Sequence, residues 1–225
     1  MRNCTLRYTC KVLTSGILIL LSLVSAAQED TLRTVGPRFG IDLSRFIMMP
    51  LVPEIRSFEF SADFEVKPNI YPVFEAGFSM VSFSDTNYSY KGSGIYFRAG
   101  LDYSMLELEK RNDYSMGFIG ARYGISLNQF SADDVIIQDP YWGDLVTGIP
   151  EQSGQNHWIE VAAGIRVEIF HNFFMGWSAR GRIMLYKTKF DQMIPYYVPG
   201  FGDPSKRAAW DINYSIYYKI PVLKR

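Results

Sequence analysis

Few side chains in this 225-residue chain are placed to do chemistry. His157 has Ser153 before it and Glu160 after it, the residue types from which an outer-membrane lipid hydrolase of the deacylase kind would build a nucleophile, a base and an orienting carboxylate. His157 falls where a strand leaves a loop, and a bare histidine at the rim is the simpler reading. His171, the second histidine, reads as a turn residue, and two separated histidines without a thiolate cannot assemble a zinc site. Ser131, Asp133, Asp134, Asp139 and Asp144 offer oxygens to a calcium ion, but without the regular spacing of a calcium loop, so a solvated polar loop is expected. No glycine motif of the kind that cradles phosphate occurs. The sequence therefore assigns no catalytic residue, no metal ligand and no cofactor.

The elements that must hold these residues are strands with two unlike faces. Successive side chains of a strand point to opposite sides, so a run that alternates in polarity has one apolar and one polar face. Phe58, Phe60, Ala62, Phe64 and Val66 alternate with Ser57, Glu59, Ser61, Asp63 and Glu65. The same pattern sets Ile95, Phe97, Ala99 and Leu101 against Arg98, Gly100 and Asp102, and Ile159, Val161, Ala163, Ile165 and Val167 against Glu160, Gly164 and Arg166. Similar runs occupy 38–44, 74–80, 119–127, 175–183 and 210–220. Most are about 9 to 12 residues, the length of a tilted membrane-crossing strand, where strands of globular proteins average about 5 or 6.

The links between runs alternate in length. Those near Lys67, Leu106 to Asp113 and His171 are short; those at 48–56, 82–94, 128–156 and 186–208 are long. That is the plan of a closed, eight-stranded, antiparallel up-and-down transmembrane β-barrel, with both termini periplasmic and the long loops extracellular. Proline agrees, since it cannot donate to a ladder. Pro37, Pro68, Pro72 and Pro221 fall at the rim, and Pro50, Pro53, Pro140, Pro150, Pro195, Pro199 and Pro204 in the long loops; Pro72 requires its strand to begin pairing only near Val73.

A barrel of eight strands is just wide enough for its own side chains, so the charged face must fill the interior. Seven basic residues (Arg38, Arg98, Arg122, Arg166, Arg180, Arg182, Lys219) meet nine acidic ones there (Asp42, Glu59, Asp63, Glu65, Glu75, Asp102, Glu160, Glu168, Asp211). Carboxylates so grouped resemble acid and base pairs of an enzyme, but a structural ion-pair network accounts for them. An ion-paired plug without an open pore is predicted, with inward Gly40, Gly77, Gly100, Gly124, Gly164 and Gly176 making room for the long arginines. Tyr103, Phe170, Phe173, Trp210 and Tyr218 are placed to form aromatic girdles.

Ahead of the strands, Arg2, Arg7 and Lys11 precede an apolar run from Val12 to Val24 and the small residues Ser25, Ala26 and Ala27, the form of a signal peptide cleaved after residue 27. Residues 28–225 are then the barrel. Both cysteines, Cys4 and Cys10, fall in the leader. With 23 basic and 23 acidic residues the chain has no overall field to attract nucleic acid.

Asn-Ile-Tyr-Pro-Val-Phe-Glu (69–75), Arg-Ala-Gly-Leu-Asp-Tyr (98–103), Asn-Phe-Phe-Met-Gly-Trp-Ser-Ala-Arg-Gly-Arg (172–182), Tyr-Val-Pro-Gly-Phe-Gly (197–202) and Asn-Tyr-Ser-Ile-Tyr-Tyr-Lys-Ile-Pro (213–221) carry a resemblance. The chain resembles a family of small outer-membrane barrels found in Bacteroidota. The resemblance implies fold and location and supplies no catalytic residue. The last strand departs from the usual terminal phenylalanine, ending Leu223, Lys224, Arg225.

The third and fourth long loops hold Ile136, Ile137, Tyr141, Trp142, Ile149, Met193, Ile194, Tyr196, Tyr197, Val198 and Phe201, more apolar surface than a solvated loop needs. They are expected to pack on each other or on a partner. The functional expectation is a non-enzymatic accessory barrel, in contact with outer-membrane lipid and with another outer-membrane protein through the loops or the lipid face. The competing readings are the His157 hydrolase and a narrow channel.

Overall fold

The computed structural model describes residues 34–105, 115–137 and 145–224, together with 141 and 143. Eight strands, β2 (Arg38–Asp42), β3 (Ile55–Asp63), β4 (Ile70–Ser84), β5 (Ser89–Ser104), β6 (Met116–Ile137), β7 (Leu145–Phe170), β8 (Phe173–Lys187) and β9 (Ala208–Lys219), pair each with the next and close β9 onto β2 as a barrel. A short ribbon of β1 (Thr34–Val35) and β10 (Leu223–Lys224) pairs the segments that flank the barrel's first and last strands. A five-residue helix, α1 (Ser44–Met48), follows β2. The proposed leader and the link at 106–114 lie outside the described residues.

The register fixes the barrel's girth. Stepping across paired residues from Val167 to Met175, Ile216, Ile41, Phe60, Ala76, Phe97 and Ile125 returns to β7 at His157, ten residues from the start. Eight strands with that stagger tilt steeply and leave an interior that side chains fill. The predicted faces hold. Phe58, Phe60, Phe74, Phe97, Ile119, Ile165 and Ile212 are exposed on the outside, while all seven predicted basic residues are buried within. Along β7 the outward apolar series runs from Ile159 to Ile169, about the height of a hydrocarbon layer at a barrel's usual tilt.

Three expectations about the strands need correction. Two of the long links are hairpins: β4 and β5 pair up to Ser84↔Ser89, and β6 and β7 up to Ile137↔Leu145, so the barrel wall continues well past its apolar belt. Pro72 lies inside β4, opposite Leu101, and not before it. Its carbonyl points to the β3 side, where it accepts from the Phe64 amide at 3.4 Å, so its missing N–H also points there, just beyond the last β3–β4 pair at Asp63↔Val73. Pro150 lies inside β7, at the bulge where the register shifts between Phe130 and Ala132; β8 joins β7 only from Asn156, so its other edge is free of a ladder.

α1 is a further departure, since Leu43 and Ser44 were expected to end the first strand. The Asp42 carboxylate accepts from the Ser44 amide at 2.9 Å and starts the helix. Arg45 turns inward from it, while Phe46, Ile47 and Met48 face out, with Phe46 packed edge-on against Phe58.

Candidate functional site

The lumen is stacked in layers. At the end carrying the termini lie Tyr71, Met116, Phe118 and Ala162. Arg38 sits 4.7 Å from the Tyr71 ring and Arg166 4.4 Å from the Phe118 ring, so the aromatic layer touches the charged one through guanidinium faces. Above it runs a continuous ion-pair network. Arg166 bridges Asp63 at 3.0 Å and Asp102 at 2.9 Å; Arg38 also holds Asp63, at 2.6 Å. Arg122 grips Asp102 at 3.1 Å and reaches Glu160 at 3.4 Å, linking the lower to the upper half.

Arg98 is the hub of the upper half. It contacts Glu59 at 2.5 Å, Glu75 at 2.9 Å and Glu160 at 2.9 Å, with none of its side chain exposed. Arg180 shares Glu59 at 2.8 Å and Glu75 at 3.2 Å, and the Tyr96 hydroxyl donates to Glu59 at 2.6 Å. Arg182 pairs with Asp211 at 2.5 Å. Each of Glu59, Asp63, Glu75, Asp102 and Glu160 is held by at least two guanidinium groups, so no two carboxylates are left to share a proton. Buried charge is tolerated on such terms: paired, hydrogen-bonded and near balance.

Sequence reasoning missed two members. Arg45, on α1, reaches Asp211 at 3.0 Å and Glu59 at 3.4 Å; it lies beyond the last alternating residue of β2, where strand periodicity stops. The second is the cap. Val198 and Phe201, in the link from β8 to β9, are buried against Tyr96, Trp158 and Met184, and Arg182 donates to the carbonyls of Gly200 and Phe201 at 2.8 Å each. Much of that link's apolar surface is thus used internally. In its exposed part the Asp203 carboxylate accepts from the amide and hydroxyl of Ser205, which holds it below the usual carboxylate range.

The glycines need reassignment too. A Cβ at Gly124 would meet the Trp158 ring at 2.2 Å, one at Gly77 the Tyr96 ring at 2.2 Å and one at Gly40 the Tyr217 ring at 2.3 Å. Most inward glycines therefore clear space for aromatics. At Gly100 a Cβ would meet the Ala121 carbonyl at 2.1 Å and Arg122 Cγ at 2.7 Å, so that glycine serves the close approach of β6 as well as an arginine.

The hydrolase constellation is not assembled. His157 faces outward at the top of the apolar belt, its Nδ1 2.7 Å from the Tyr123 hydroxyl and its Nε2 3.0 Å from the Gln155 amide, with the Tyr186 ring beside it. Glu160 points the other way, into the ion-pair network. Ser153 lies four residues further along β7, about 13 Å away at the usual rise per residue. His171 occupies the tight turn between β7 and β8. Of the calcium candidates, Asp133 lies 3.9 Å from Lys91 and Asp134 has a positive φ of 56° beside the register shift; Asp139 and Asp144 lie outside the described residues.

Among solved structures the chain is similar to the Neisserial surface protein A, at 12% identity, with 83% of this chain and 96% of that one covered and a TM-score of 0.41. It is similar also to a major outer membrane protein from Thermus thermophilus (12%, 82% and 99%, 0.43) and to CarO of Acinetobacter baumannii (10%, 85% and 100%, 0.38). No curated protein matches it by sequence. The family model described as "Domain of unknown function (DUF6048)" matches residues 5–225, and the chain belongs to that family.

Proposed function

We propose that this protein is a small outer-membrane barrel that crosses the bilayer without conducting and serves as an accessory subunit, acting through what its outside touches. One observation carries the reading: an apolar belt, broken only where β2 stops short, surrounds a lumen filled by aromatic and ion-paired layers. Apolar side chains facing outward around a closed sheet suit hydrocarbon, because closure alone satisfies every backbone group where water is absent. The short turns and the termini face the periplasm in this reading, and the long hairpins face outward.

With no passage inside, the surfaces left for function are the belt and the β6–β7 hairpin. Near its tip Tyr141 is 92% exposed, and Leu145 and Val146 are exposed beside it. Exposed apolar side chains on that hairpin suit contact with another outer-membrane protein. Extraction in mild detergent followed by affinity capture of the full chain is expected to recover a stoichiometric outer-membrane partner, and the purified protein is expected to give no conductance in planar bilayers. A lone monomer after gentle extraction rejects the accessory role; stable single-channel steps reject the plugged lumen.

A further inference from the structure

The barrel wall is incomplete on one side. β2 ends at Asp42, opposite Ser215, and the last bond across that seam runs from the Leu43 amide to the Tyr214 carbonyl at 2.8 Å. Tyr214 is the midpoint of the outward series on β9 from Tyr218 to Trp210, so the missing strand begins halfway up the belt. Above that level, β9 from Asn213 to Ala208 and β3 from Glu59 to Ile55 face each other with no strand between them. α1 stands in the gap without filling it. A cleft of about 510 Å³ remains, walled by Ile47, Met48 and Val52 on one side and by Trp177, Ile212 and Tyr214 on the other. That is within the range of about 300–1,000 Å³ that ligand pockets occupy.

The cleft's lining includes polar side chains. Arg45 is tied to Asp211 there, and Asn213 lies beside them, 1% exposed. The Asn213 amide nitrogen donates to Asp42, which leaves its Oδ1 as a buried acceptor with no partner among the described residues. The mouth, in contrast, is bordered by the exposed Ile47, Met48 and Ile212. Resting on the membrane-spanning reading above, the medium at that height is the hydrocarbon of the outer leaflet. The apolar rim suits that medium, and the cleft behind it is open only to something narrow. The flat wall of a second barrel cannot enter such a cleft; a single hydrocarbon chain can.

We propose that the cleft takes an acyl chain of an outer-leaflet lipid, entering sideways between α1 and β9. Arg45 then acts as the latch that holds α1 as the cleft's wall.

The test reconstitutes the full chain into phosphatidylethanolamine vesicles containing the same lipid with a diazirine midway along one acyl chain, followed by irradiation and peptide mapping. Label is expected to concentrate severalfold on the segments holding Ile47, Met48 and Ile212 relative to that holding Ile159 on β7. Ser57→Phe, which narrows the cleft, is expected to remove the excess and leave labelling at Ile159 unchanged; Val52→Trp serves the same end should Ser57→Phe fail to regain folded mobility on a gel. Three results overturn the proposal and leave the spanning reading standing: equal labelling around the belt, an excess that survives both substitutions, or depletion at α1 such as a covering second copy would give. No labelling at all overturns both.

Discussion

Arg98 holds carboxylates from three other strands, Glu59 on β3, Glu75 on β4 and Glu160 on β7, and none of its side chain reaches the surface. Replacing it with alanine leaves a surplus of buried negative charge, and breaking such a pair costs about 3–5 kcal/mol. Arg98→Ala is therefore expected to lower the urea midpoint of the barrel sharply, followed by loss of the folded band on unheated gels; an unchanged midpoint would show that Arg180 and Arg122 suffice. Gly124→Val drives a side chain into the Trp158 ring, and overpacking of this kind costs about 1–3 kcal/mol. The double variant Gly124→Val, Trp158→Leu is expected to recover much of the loss in the same assay. The charges were legible in the sequence because each interrupts an apolar run. The inward aromatics were not: Tyr96 sits between outward Ile95 and Phe97, and an aromatic on the inward face does not stand out from the apolar run around it as a charge does.

At the scale of elements, legibility followed solvent. Strands could be read where one face was apolar and exposed and the other lined the lumen. Beyond the belt, β6 from Asn128 to Ile137 and β7 from Leu145 to His157 leave that contrast behind, so Gln129, Ser131, Ser153 and Gln155 read as loop while the backbone stays in register. α1 was hidden for another reason: its five residues are apolar except for Ser44 and Arg45, too few for a helical period to show. The β6–β7 hairpin beyond Asp133, where β6 leaves its ladder with β5, is separate from the ion-pair network. Replacing residues 135–147 by a two-residue turn is expected to leave the unfolding midpoint within experimental error and to abolish capture of the outer-membrane partner proposed above. A barrel that no longer folds would assign the hairpin to stability and not to contact.

The closed eight-strand architecture was legible from alternation and link length alone, and so was the ion-filled interior; the gap beside β2 was not, because a missing strand segment has no residues to betray it. That interior bears on how the molecule is made. Arg180 meets Glu59 across 121 positions of chain and Arg166 meets Asp63 across 103, so the two halves of these pairs are made far apart in time. A sheet inserted hairpin by hairpin would carry bare guanidinium and carboxylate groups into oil, each at a cost of several kcal/mol until its counterpart arrived. On the proposed membrane-spanning reading, the interior thus favours a single route: the ribbon curls and joins its ends at the water's edge, and only the finished cylinder slides across. Cooperativity in biogenesis is written into the register of opposite charges.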